Sequence, residues 1–163
     1  MVRHSHSDVL RLSSLTQWSQ GHIRRVFESP SEAEAVQAIE DTFSKDVNAS
    51  LNGKQLGLEQ VKQLVLSMHK ESRTGGLKVE WKQTVEVPED PTNRNGSFGG
   101  VYIIHGIWRT LSGQYEPMEL ERHKTVTVRI ESQSNDTTVD SRKIVNLVFV
   151  ASDIPVHDVV SSR

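Results

Sequence analysis

Apolar residues are spaced in two ways along the chain, and the change of spacing divides it near its middle. Up to residue 76 they recur mostly every three to five positions: Val9, Leu12, Leu15, Trp18, Ile23 and Val26, then Ala35, Val36, Ile39 and Phe43, then Leu58, Val61, Leu64, Val65 and Met68. That period places one apolar stripe along a helix, so three helices are predicted. The first spans 8–27, with Gly21 as a candidate break. The second starts at Ser31, which forms an S-x-x-E capping box with Glu34, and the third covers 58–71 and stops at Gly75-Gly76. Between the last two, the segment from Asp46 to Leu56 contains Asn52-Gly53, a dipeptide suited to positive φ, and predicts two very short strands joined by a tight turn.

After Gly76 the spacing falls to two. Leu77, Val79, Trp81, Val85 and Val87 alternate with Lys78, Glu80, Lys82, Thr84 and Glu86, the pattern of a strand with one dry and one wet face. From Phe98 to Leu111 both faces are apolar, which predicts a central strand covered on its outer side as well. Met118, Leu120, Val126, Val128 and Ile130 describe a third long strand, and residues 143–151 a fourth. Pro155 and the lack of periodicity beyond Asp153 predict a loose tail over 154–163, and residues 1–7 a disordered N-terminus. Helices followed by long strands with short connections give an α+β domain over 8–153, its helices on one face of an antiparallel sheet.

Composition removes several chemistries. The 163 residues suit a single core, and 19 basic against 21 acidic side chains leave a formal charge of −2, without the one-signed field that nucleic-acid binding by bulk charge needs. The absence of cysteine excludes disulfides, a thiolate nucleophile and cysteine-bound zinc. No apolar run has transmembrane length and the N-terminus is polar, so a cytoplasmic protein without membrane contact is expected.

The order of helix, helix, short hairpin, helix and four long strands resembles the nuclear-transport-factor-2-like superfamily, in particular its SnoaL-like branch of polyketide cyclases. The stretch TFSKDVNASLNGKQLGLEQVKQLV looks like the family's passage from a helix through an acidic strand and a turn into another helix, and IVNLVFVASD looks like its last strand. The resemblance implies a cone-shaped curved sheet wrapped around the N-terminal helices, an apolar pocket inside, and a homodimer through the sheet. Its members include isomerases, dehydratases, cyclases and proteins with no catalysis, so it leaves the activity open.

Polar residues at apolar positions are the candidates for chemistry. His105 lies in the strand with two apolar faces and could serve as an acid or base. Arg122 interrupts the face made by Met118, Leu120, Val126 and Val128 and could hold a carboxylate or enolate. Trp81, Tyr102 and Trp108 offer flat surfaces to a hydrophobic or aromatic ligand, and Asp46 stands where the resemblance puts a pocket acid in some catalytic members. Facing each other, His105 and Asp46 would form a general acid–base pair. Each residue also has a plain structural reading: a satisfied histidine, an edge salt bridge, core aromatics and a turn-solvating aspartate. The expected function is therefore small-molecule binding in an apolar pocket without a cofactor or metal. A cofactor-free cyclase, isomerase or dehydratase is one alternative, and a homodimerising interaction module the other.

Overall fold

The computed structural model describes residues 9–156; the expected N-terminal disorder and most of the expected tail lie outside them. The elements are α1 (Leu15–Glu28), α2 (Glu32–Thr42), β1 (Phe43–Leu51), β2 (Lys54–Leu56), α3 (Leu58–Lys70), β3 (Lys78–Pro88), β4 (Gly96–Arg109), β5 (Met118–Ser132) and β6 (Arg142–Pro155). Ser14 caps α1 by accepting from the backbone N–H of Gln17, whose side chain reaches back to Ser14. The helix then runs unbroken through Gly21, because that residue lies on the exposed face with nothing packed against it. Ser31 caps α2 as its spacing predicts. Asn52 (φ 49°) and Gly53 (φ 83°) make the predicted turn.

All six strands form one curved, unclosed sheet in the order β2-β1-β6-β5-β4-β3. Hairpin connections make β3 to β6 antiparallel, as expected. β1 is longer than a hairpin arm, because α2 runs directly into it at Phe43, and it lies parallel to β6. Most of the sheet separates β1 from β6 in sequence, so no tight turn dictates their relative direction. At the other end, β6 extends past Asp153: Ile154 and Pro155 pair with β5, and Val156 N–H donates to the Glu119 carbonyl at 3.0 Å.

Helices α1 and α3 lie on the concave face of the sheet, and α2 packs beside them. Concave strand positions such as Phe98, Ile104, Val126, Val128 and Ile144 are at most 2% exposed. Burying each such side chain contributes about 1.5–3 kcal/mol, which makes this layer the main source of stability. Arg142, 3% exposed, fastens its edge by bonding the Ser13 and Asn93 carbonyls and the Asp140 carboxylate.

Gly106 decides which side chains face the helices. Its φ of 93° and the shift of register between Ile104 and Ile107 mark a bulge in β4, and a Cβ there would lie 2.6 Å from the Gly76 carbonyl oxygen. Ile104 and Ile107 are thereby both fully buried, while Val101, Ile103 and His105 occupy the convex face. The expected second covering of this strand is not supplied within the described chain: Val101 is 36% exposed.

Candidate functional site

Between α1, α3 and the concave sheet lies a cavity of about 40 Å³, walled by Phe27, Val65, Met68, Val126 and Phe149. Three polar side chains reach it: Tyr102 from β4, and Arg122 and Lys124 from β5. Alternation along β5 puts Leu120, Arg122, Lys124, Val126 and Val128 on this one face.

Lys124 is the least expected of them. It is 7% exposed, and its ammonium nitrogen stands 5.0 Å from the centre of the Phe27 ring, 5.2 Å from Tyr102 and 4.5 Å from Phe149. Among the described residues no carboxylate or carbonyl accepts from it. Burial, with the nearby positive charge of Arg122, pushes its pKa down to about 7; Asp153 offsets this only in part. The ring faces attract the cation, but more weakly than the water they replace. Near neutral pH the amine is therefore divided between charged and free forms.

Arg122 is committed on one side and open on the other. Its Nε and Nη2 donate to the two carboxylate oxygens of Asp153 at 2.7 and 3.0 Å, a bidentate pair, whereas Nη1 meets only the Met68 sulfur at 3.1 Å. Arg109 donates to the same carboxylate at 2.9 Å and pairs with Glu71 at the end of α3. The hydrogen bond from Arg122 holds the Asp153 carboxyl below the usual range, and its bond to Glu71 keeps Arg109 charged. Two arginines thus balance two carboxylates, and the charge of Lys124 remains without a counterpart. Burial raises the pKa of the Tyr102 hydroxyl, which stays protonated.

The other predicted site residues lie elsewhere. Trp81 packs on Tyr102 and Phe98, with ring centres 4.6 and 5.8 Å apart, and sits over Gly100, where a Cβ would come within 2.8 Å of the indole. It is a wall behind the site, and its Nε1–H is buried without an acceptor. Trp108 lies beyond the bulge with the Arg73 guanidinium 3.9 Å above its ring, away from the cavity. His105 is on the convex face, between Glu80 (Nε2 to Oε2, 2.7 Å) and Glu121 (Nδ1 to Oε2, 3.4 Å); Glu121 also meets His123 at 2.9 Å.

Asp46 is exposed on β1, with β6 and β5 between it and the strand of His105, a separation of ~14 Å at ordinary strand spacing. The structure therefore does not bring His105 and Asp46 together, and their pairing as acid and base is corrected. His105 shares the convex parity of Val101 and Ile103, and the bulge at Gly106 separates it from Ile107, with which a regular strand would align it. Two signals in the sequence pointed to this arrangement: a glycine inside a strand, and a lysine at the same parity as Leu120 and Val126. Among the described residues no three His, Cys, Asp or Glu side chains are disposed to hold a metal, and no helix is long and apolar enough to cross a membrane.

No protein-family model matches the chain, and no curated protein matches it closely in sequence. Solved structures do. Nuclear transport factor 2 from Cryptosporidium parvum superposes with a TM-score of 0.50 at 11% identity, covering 84% of this chain and 90% of that one. AclR from Streptomyces galilaeus gives 0.54 at 14% identity over 83% and 90%, respectively. The nuclear-transport-factor-2-like domain of Chaetomium thermophilum Mex67, solved in complex with Mtr2, gives 0.55 at 7% identity over 84% and 95%. At such identities the likeness is one of architecture: the chain has the α+β cone fold of the nuclear-transport-factor-2-like superfamily.

Proposed function

We propose that the protein binds a small, mostly hydrocarbon molecule inside the cone, with one oxygen-bearing end directed at Lys124 and Arg122. The observation that carries this reading is the buried side chain of Lys124, whose amine has ring faces around it and, among the described residues, no acceptor. An unpartnered donor is expensive to keep in an apolar interior, and a ligand oxygen would satisfy it. Arg122 Nη1, held only by a thioether, supplies a second donor to the same space. The cavity of about 40 Å³ has room for a few atoms, which sets the ligand's scale. Binding alone accounts for these features. The acid–base alternative loses the pair expected to perform it, since His105 and Asp46 are apart.

Butyrate titrated into protein with labelled methyl groups tests the proposal. Signals from Val65 and Val126 are expected to shift with saturation, and Lys124→Met to abolish the effect. Unmoved cavity signals at millimolar butyrate would overturn it.

The convex face favours a second role beside the first. Val85–Gly99–Thr127–Val148 and Gln83–Val101–Thr125–Val150 form two adjacent cross-strand rows that carry no charge, with Val85, Val148 and Val150 66%, 50% and 61% exposed. In a chain that is 25% charged, such a patch suits a two-fold contact with a second copy. Sedimentation at micromolar concentration is expected to give a dimer that the double change Val101→Lys, Val150→Lys converts to monomer. A wild-type monomer under these conditions would contradict it.

A further inference from the structure

We propose that Lys124 captures a small aldehyde or ketone as an imine inside the cone, so that the cavity is a covalent carbonyl site. The inference deepens the binding reading and rests on it. Three structural facts support it. The Lys124 side chain is nine-tenths buried and lines the cavity, with the faces of Phe27, Tyr102 and Phe149 around its amine. Among the described residues no ion pair ties it up: Asp153, the nearby carboxylate, is held by Arg122 and Arg109, and Arg109 in turn by Glu71. The elements packed over it add no counter-charge, because α1 and α3 present Phe27, Val65 and Met68 to this space; the titratable groups near it are Tyr102 on β4, Arg122 on its own strand and Asp153 on β6.

An exposed lysine at neutral pH is almost wholly ammonium and has no lone pair to offer, whereas a desolvated amine beside another cation is a nucleophile. The depressed pKa of Lys124 agrees with the geometry. The Nζ lone pair adds to the carbonyl carbon, and the C=O π pair moves to oxygen to give a carbinolamine. Both nitrogen-bound hydrogens leave with that oxygen as water, and a C=N bond remains. The balance is amine plus carbonyl giving imine plus water, with no oxidant or reductant. An apolar chamber favours the uncharged reactants, and Arg122 Nη1 is placed to hold the oxygen of the entering carbonyl or of an acid group next to it.

Butanal is the probe. Protein at pH 7 is mixed with limiting butanal and cyanoborohydride, and butylated peptides are quantified by mass spectrometry, with methyl spectra recorded on the same mixture before reduction. Lys124 is expected to be modified about tenfold or more faster than the exposed Lys45 and Lys82, because its free-amine fraction is far larger. In Lys124→Arg, and in Lys124→Met as a second variant against misfolding, only the slow surface labelling is expected. Shifted cavity methyls with Lys124 unmodified would overturn the imine and leave the binding site standing. Unshifted methyls with Lys124 unmodified would overturn both. Modification of Lys124 no faster than that of Lys45 would overturn the claim of a built carbonyl site.

Discussion

At Lys124 the proposed site and the stability of the fold meet. Its pKa in the folded chain, about 7, lies below the ordinary lysine value of 10.5. Above pH 10.5 the amine is neutral whether folded or not, and burial then costs no charge desolvation. As pH falls through that value the unfolded chain takes up a proton that the folded chain refuses until about 7. The contribution of Lys124 to stability therefore rises with pH between 7 and 10.5 and is least favourable, and constant, below 7. Lys124→Met removes the liability while keeping the volume, so below pH 7 the variant should be more stable by about 1–3 kcal/mol. That advantage should shrink steadily towards pH 10. Urea denaturation of both proteins across this range checks it, and an advantage independent of pH would show that the amine is solvated. Reading the sequence exposed Arg122 as an intruder on the apolar face of β5 but passed over Lys124 two positions on. Lysine normally reaches water by snorkelling, and only the rings of Phe27 and Phe149, distant in sequence, prevent that here.

At the scale of elements, local signals read well and long-range ones did not. Ser31, Asn52-Gly53 and the change of period at Gly76 are marked by residues whose backbone or capping chemistry is local, and the structure agrees with each. The parallel pairing of β1 with β6 depends on contacts between residues about a hundred positions apart, which no window of sequence contains. The bulge lies between these cases. Gly106 was visible, but its effect is to switch the facing of every later residue in β4, so that Ile107, which a regular strand would align with His105, joins Tyr102 and Ile104 on the concave side. Gly106→Ala should therefore destabilise the fold by about 2–4 kcal/mol, through a positive φ and a clash with the Gly76 carbonyl. A loss under about 0.5 kcal/mol in thermal unfolding would mean that the strand can run straight.

For the molecule as a whole, the two faces of one sheet carry different tasks. The concave face buries the core and retains a small polar centre, and the convex face carries the uncharged rows proposed to meet a second copy. Fold class and concave core were legible because alternation alone assigns them. The centre was not, because Phe27, Tyr102, Arg122, Lys124 and Asp153 come from an α-helix and three strands that only the folded cone assembles. The proposed site depends on a desolvated amine in the cone that awaits an oxygen. Carbon-13 titration of the Lys124 Cε resonance, without and with saturating butyrate, tests it most directly. A midpoint near 7 is expected for the free protein, moving upward when a carboxylate supplies the missing counter-charge. A midpoint at the ordinary lysine value, unmoved by butyrate, would contradict it.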